Sequence, residues 1–298
     1  MVIGRFAPSP TGPLHFGSLV AAVASYCDAR SQGGQWLLRM EDVDTTRRVA
    51  GASDEIIAAL HRYGFVWDGE MIYQSRRSDL YQQALDFLRD KNLAYPCTCS
   101  RKEIADSSTR QGIEGAIYPG TCRQHPAKAG IPAAWRLQTS DKDICFQDKV
   151  QGRQQHTMAT DIGDFVIKRA DGLFSYQLAV VVDDALQGVT HVVRGADLLH
   201  STTRQIYLQQ LLGYATPVYA HIPLVMNTAG QKLSKQNLAK ALPADNVETV
   251  LIEALRFLQQ PLPDNIHTRS LHAIWQWAYT HWQLPKNTIA HGKASHQW

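Results

Sequence analysis

The 298-residue chain lacks any run of 18 or more apolar residues, which excludes a membrane helix recognisable by hydropathy. Its opening, Val2-Ile3-Gly4-Arg5, has neither a basic lead nor an apolar stretch of signal length, so no secretory leader is read and a cytoplasmic protein is expected. Low-complexity tracts and internal repeats are missing, which argues against linker-rich or solenoid architectures. A strong charge of one sign is missing too. Thirty Lys and Arg face 27 Asp and Glu, a net charge of +3 that permits a nucleic-acid partner without arguing for one. Cysteine is scarce, with five residues, of which Cys97, Cys99 and Cys122 cluster while Cys27 and Cys145 stand alone. Without an export signal, that clustering points to metal rather than to disulfides.

What is present describes a globular protein: 44% hydrophobic and 19% charged residues, at a length that suits about two domains. The most informative stretch is 5–18, Arg-Phe-Ala-Pro-Ser-Pro-Thr-Gly-Pro-Leu-His-Phe-Gly-Ser. It predicts a short strand over 2–6, a turn stiffened by Pro8, Pro10 and Pro13, and a helix over 15–31 with Phe16, Leu19, Val20, Val23 and Cys27 on one face. A strand that feeds a helix through such a turn puts bare N–H groups and a positive helix end at one place, which suits a phosphate. His15 stands at that helix start with no apolar role, although a decorated turn with a surface histidine would read the same way.

Alternating strand and helix patterns continue. Residues 36–40 form an apolar strand ending in Glu41-Asp42-Val43-Asp44, Ser53 is placed to cap a helix that Gly64 ends, and Leu80, Tyr81, Ala84, Leu85 and Leu88 mark another helix. This order fits a doubly wound parallel α/β sheet, with ligands at the carboxyl ends of its strands. From Tyr95 the texture becomes polar, Cys-bearing and broken by Gly and Pro, which reads as an insertion. Periodicity returns with strands over 164–168 and 190–195 and a helix over 198–212, and the chain after Pro243 reads as helical. The expected division is therefore 1–94 and 161–240 for the two halves of a Rossmann-type domain, 95–160 for the insertion, and 241–298 for a helical C-terminal subdomain.

Four blocks in order resemble the class I glutamyl-tRNA synthetases: residues 5–18 with His15-Phe16-Gly17-Ser18, residues 39–47, the stretch from Asp171 through Asp183-Asp184 to Arg194-Gly195, and Lys232-Leu233-Ser234-Lys235-Gln236. The resemblance spans about residues 2–240 and implies a class I synthetase catalytic domain. Ser18 stands where the family has its second motif histidine, and Gln236 where its loop has a serine. The Cys-bearing insertion and the short chain beyond the lysine loop are similar to a truncated branch of the family. That branch activates glutamate without tRNA and esterifies it to queuosine, the modified wobble base of tRNA(Asp). The alternatives are a shortened glutamyl-tRNA synthetase that charges the tRNA 3′ end, a glutamine-using relative and a non-catalytic RNA-binding relative.

The resemblance implies roles residue by residue. His15 and Lys235 would serve catalysis by donating to ATP phosphates, with Gly17 and Lys232 also binding ATP and magnesium accompanying the nucleotide. Arg5, Ser9, Glu41, Tyr176 and Arg194 would bind L-glutamate, with planar guanidinium forks for the carboxylates and Glu41 for the ammonium. Arg5 could instead be tied up in an ion pair with Glu41 or Asp42. Cys97, Cys99 and Cys122 would hold one structural zinc, which needs a fourth ligand. Chemistry alone points to His125. The resembled branch points to Tyr118, in Tyr118-Pro119-Gly120-Thr121-Cys122. His191 and His221 have no partner pattern and read as structural, and a monomer is the expected state.

Overall fold

A computed structural model describes residues 1–226, 233 and 240–286 of the chain. Strand β1 (Ile3–Phe6) leads through the proline-rich turn into α1 (Phe16–Ser31), and β2 (Gln35–Met40) returns parallel to β1, Ile3 opposite Gln35 and Phe6 opposite Leu38. Helix α2 (Ala52–Arg62) precedes β3 (Ile72–Tyr73), which pairs in parallel with the end of β2. Helix α2 begins two residues earlier than a Ser53 cap would place it. Gly51, in the left-handed region, supplies the start without a side-chain bond. Then come α3 (Ser78–Asp90) and an inserted region. After it, α6 (Tyr176–Leu186), β11 (His191–Gly195), α7 (Leu199–Leu212) and β12 (Val218–Ile222) complete the parallel core. Strands β11 and β12 pair in parallel, and the Thr190 N–H donates to the Ile3 carbonyl at 2.9 Å. The strand order is therefore β3-β2-β1-β11-β12, with an apolar cluster on each face.

The inserted region holds β4 (Ala94–Cys97), α4 (Arg101–Ser107), β5 (Gln111–Gly112), β6 (Gly115–Ala116), α5 (Thr121–Gln124), β7 (Ala134–Leu137), β8 (Asp143–Asp148), β9 (Gly152–Thr157) and β10 (Phe165–Lys168). Strands β4, β7 and β10 form one antiparallel sheet. The strand expected over 164–168 thus joins the inserted sheet rather than the parallel one. Its own pattern could not reveal this, because a four-residue apolar strand fits either sheet. Strands β8 and β9 form a separate hairpin whose tip touches β12, where the Lys149 N–H donates to the Tyr219 carbonyl at 2.9 Å.

Helices α8 (Val247–Phe257) and α9 (Leu271–His281) cover α1. Trp275 enters a nest with Tyr26, Trp36 and Phe65, with ring centroids 4.8 to 5.5 Å apart along the chain of contacts Tyr26–Trp36, Trp36–Phe65 and Phe65–Trp275. Such pairs contribute roughly 0.5–1.5 kcal/mol each beyond the area they bury. The Trp275 Nε1–H donates to the Tyr63 carbonyl at 2.9 Å. Gly64 beside it has φ +77°, and a Cβ there would lie 2.9 Å from Trp275 Nε1, so both the turn and the packing require glycine.

Candidate active site

A cleft of about 780 Å³ opens at the carboxyl ends of β1, β2 and β11. Arg5, Ser9, His15, Gly17, Glu41, Tyr176 and Arg194 all line it. Lys232 and Lys235 lie outside the described residues, while Leu233 between them reaches the cleft wall. The proline-rich turn at the His15 end of the cleft is held by prolines acting as acceptors: the Glu41 N–H donates to the Pro8 carbonyl and the Val49 N–H to the Pro10 carbonyl, both at 3.0 Å.

His15 caps α1. Its Nδ1 accepts from the Ser18 N–H at 3.3 Å. A backbone N–H can only donate, so the neutral ring carries its proton on Nε2, which makes Nε2 a donor at a helix N-terminus. Gly17 lies under that ring. A Cβ at Gly17 would sit 3.2 Å from both His15 Cε1 and Nδ1, so the missing side chain is what lets the imidazole lie against the helix.

Behind the opposite wall four charges interlock. Asp184 accepts from Arg5 Nε at 3.2 Å and lies 2.7 Å from Arg39 Nη2, and Arg39 Nη2 also reaches Glu41 Oε1 at 3.2 Å. Side-chain exposure is 4% for Arg5, 0% for Arg39, and 8% for both Glu41 and Asp184, so the two cations and two anions cancel out of water. Burial pushes Glu41 above the usual carboxylate range, with Arg39 and Arg5 offsetting part of it. Burial pushes the same way at Asp184, but Arg5 and Arg39 together outweigh it and hold this carboxyl low. The ion pair of Arg5 is therefore with Asp184 of α6, not with Glu41 or Asp42. Asp42 instead accepts from the Ser75 N–H and hydroxyl. The Asp184 bond leaves Arg5 Nη1 without a hydrogen-bond partner among the described residues. Next to it, Asp183 is fully buried and accepts from Gln74, Arg77 and Tyr81.

Arg194 differs from the free fork expected of it. Its Nε–H donates to His221 Nε2 at 3.0 Å, Nη2 donates to Thr202 Oγ1 at 2.8 Å and to Gln205 Oε1 at 2.7 Å, and Nη1 donates to the Tyr176 hydroxyl at 3.2 Å. Of five N–H donors, one on Nη1 is left for a ligand among the described residues. Sequence reasoning misses Arg39, Asp184, Asp148, Thr202 and Gln205 as shapers of the site, and it reads His221 as partnerless. Arg39 and Asp184 fall inside the resembled blocks, but no spacing announces their partners.

The cysteine cluster lies in the inserted region. Sγ atoms of Cys97, Cys99 and Cys122 all lie within 4.8 Å of one another, and no histidine nitrogen of the described residues joins them. Tyr118 Oη is 3.4 Å from the sulfurs of Cys97 and Cys99, and it accepts from the Cys122 N–H at 2.8 Å. Tyr118 rather than His125 thus lies beside the three sulfurs, and three sulfurs with one oxygen at these separations would fit a tetrahedral zinc with Zn–S near 2.3 Å. Burial opposes ionisation at Cys122, but bonds from Tyr118 and the Thr98 backbone bring its thiol down to about 7, while Cys99 is pushed by burial to about 11. Burial and the neighbouring thiols hold the Tyr118 hydroxyl well above its usual range, a direction a bound divalent cation reverses. Arg136 donates to Cys97 Sγ at 3.2 Å and stacks 4.1 Å over the Tyr118 ring, which adds positive charge beside the cluster.

The family of class I tRNA synthetases (E and Q), catalytic domain, matches residues 1–257. The chain is 56% identical over 285 residues to the glutamyl-Q tRNA(Asp) synthetase of Dechloromonas aromatica (strain RCB), covering 94% of this chain and 93% of that one. It is 53% identical over 289 residues to the protein of the same name from Neisseria meningitidis serogroup C (strain 053442), covering 96% and 97%. The crystal structure of glutamate-tRNA synthetase from Elizabethkingia anophelis matches 99% of this chain and 68% of its own at 25% identity, with a TM-score of 0.79.

Proposed function

The chain belongs to the class I tRNA synthetases of the E and Q type, and from that premise we propose that it activates L-glutamate with ATP and transfers it to queuosine at the wobble position of tRNA(Asp). The observation that carries this reading is the cleft itself, whose lining brings Arg5, Glu41 and Arg194 together with His15 at the N-cap of α1. Such an arrangement holds a dicarboxylic amino acid against a nucleotide phosphate.

In the first step a glutamate carboxylate oxygen attacks the α-phosphorus of ATP. The new P–O bond makes a mixed anhydride of glutamate and AMP, and the bond to pyrophosphate breaks. Two anions must be brought together, so positioning and fixed positive charge do most of the work. His15 donates from Nε2 to the phosphates, assisted by the α1 N-terminus, and Gly17 gives the nucleotide access to bare backbone. Lys232 and Lys235 complete the ATP contacts, and magnesium accompanies the triphosphate. Arg5 presents its Nη1 edge to one substrate carboxylate and Arg194 its single remaining N–H to the other. Glu41 takes the ammonium through the oxygen that Arg39 leaves open, and Ser9 and Tyr176 add neutral bonds. In the second step a queuosine hydroxyl attacks the activated carbonyl and AMP leaves.

Cys97, Cys99, Tyr118 and Cys122 hold one zinc, which ties β4 to the α5 turn as a structural cross-link. The protein acts in the cytoplasm, as a monomer, with the helical C-terminal part closing over the catalytic domain. Incubation with labelled glutamate, ATP and tRNA(Asp), followed by nuclease digestion, tests the reading: label on an anticodon fragment is expected. Label on the terminal adenosine would replace it with ordinary 3′-end charging.

A further inference from the structure

Arg194 is held from behind by a relay that starts in the inserted region. A guanidinium Nε–H has no capacity to accept, so His221 Nε2, 3.0 Å away, must present its lone pair. The ring proton is then on Nδ1, which donates to Asp148 Oδ2 at 2.6 Å. The imidazole is neutral and the negative charge resides on Asp148. Both His221 and Asp148 are fully buried on their side chains. Burial keeps His221 below its usual range, and the bonds Asp148 receives keep its carboxyl low against the cost of burial, in line with that assignment.

Asp148 is itself locked. It ends β8, and its Oδ1 accepts from the N–H groups of Val150, Gln151 and His221 at 2.9, 2.8 and 3.1 Å. Gln151 Nε2 donates in turn to the His221 carbonyl at 2.7 Å. The β8–β9 turn therefore plugs onto β12 and sets the tautomer of the one ring that touches Arg194 Nε.

We propose that Asp148 and His221 are positioning residues for glutamate recognition, holding Arg194 so that its one uncommitted N–H faces the cleft. The proposal rests on the reading that Arg194 contacts a substrate carboxylate. It makes the hairpin of the inserted region part of the amino-acid site, 73 residues in sequence from the strand it acts on.

The test is glutamate-dependent ATP–pyrophosphate exchange, read as separate KM values for glutamate and ATP. In Asp148→Asn the amide must turn an NH2 either toward His221 Nδ1 or toward the Val150 and Gln151 N–H groups. The first choice forces the proton onto Nε2, where it faces the Arg194 Nε–H and has only the Thr202 hydroxyl oxygen, already accepting from Arg194 Nη2, to turn to. The expected result is a rise of about 10- to 100-fold in KM for glutamate, the range of one charge-assisted hydrogen bond, with KM for ATP changed less than about twofold. In an Arg194→Met background the same substitution should add nothing. His221→Gln, whose side-chain oxygen can accept from Arg194 in either case, should suppress the effect of Asp148→Asn. If Arg194→Met raises KM for glutamate but Asp148→Asn does not, the relay is wrong and the Arg194 reading stands. If Arg194→Met leaves that KM unchanged, the Arg194 reading fails and takes the relay with it. An Asp148→Asn effect that persists in the Arg194→Met background, or that raises both KM values alike, marks a purely structural residue and overturns the proposal. The wild-type protein gives an answer that needs no folded variant at position 148. With ¹⁵N-labelled histidine, the His221 ring should show a protonated Nδ1 and a bare Nε2, and a protonated Nε2 refutes the relay.

Discussion

Asp184→Asn separates the electrostatic frame of the cleft from its substrate contacts. The substitution keeps shape and removes the anion shared by Arg5 and Arg39, whose side chains are 4% and 0% exposed. Glu41, with some help from the charge of Asp183, is then left to balance two buried guanidinium groups. Removing one member of a buried ionic group costs about 3–5 kcal/mol, because the remaining charge stays out of water without a partner. For a chain of this size that corresponds to a drop of roughly 5–8 °C in the melting temperature. Differential scanning calorimetry gives the shift. The same substitution in an Arg5→Gln background should cost roughly 1–3 kcal/mol less, since removing one cation restores the balance. The pH dependence has a definite sign. Asp184 titrates lower in the folded protein than in the unfolded chain, so its contribution is complete above about pH 4 and fades as pH falls through the folded value. The deficit of Asp184→Asn should therefore be larger near pH 7 than near pH 3. A melting temperature within about 2 °C of wild type, or an equal cost in the Arg5→Gln background, would refute the four-charge account.

Further outcomes follow from the same geometry. His15→Ala should slow adenylate formation by about 100- to 1,000-fold, equivalent to about 3–4 kcal/mol of barrier, with a smaller effect on KM for glutamate; single-turnover pyrophosphate release measures it. Since burial raises Glu41 and its protonated form cannot hold an ammonium, KM for glutamate should climb on the acid side. The climb should begin above about pH 4.3, where the substrate's own side chain titrates, and be missing in Glu41→Gln. Elemental analysis should find close to one zinc per chain, lost in Cys122→Ser. With the Cys99 thiol at about 11 and the Cys122 thiol at about 7, zinc affinity measured by chelator competition should fall throughout the range below about pH 11 and more steeply below about pH 7, where protons compete for both sulfurs.

The repeating patterns in the sequence carry the local elements well. The stripe Phe16, Leu19, Val20, Val23 and Cys27 is buried on α1, and Tyr81, Ala84, Leu85 and Leu88 are buried on α3. The resemblance to the synthetase blocks singles out Arg5, Ser9, Glu41, Tyr176 and Arg194, and all five line one cleft. What those residues are bonded to is not legible in the chain, because it depends on strand order and not on neighbours in sequence. Arg5 meets Asp184 across 179 positions and Arg194 meets His221 across 27. Whether an arginine offers a free fork or a single N–H is decided by such distant partners. Arg194 offers less than its residue type suggests for this reason. Which side chain joins the three cysteines is ambiguous in sequence for a related reason: Tyr118 and His125 are similarly close to Cys122, and the fold, with Gly120 at φ +84° between them, brings the Tyr118 hydroxyl to the sulfurs.

The aromatic nest around Trp36 also bears on how the chain is made. Tyr63, whose carbonyl receives the Trp275 indole, leaves the ribosome 212 residues ahead of its partner. At about 5–20 residues per second, the first βαβ unit waits roughly 10–40 s before its cover arrives. During that interval the apolar flank of α1 is open to water, so the nascent protein is most vulnerable to chaperone capture or premature self-association at the very helix that carries His15.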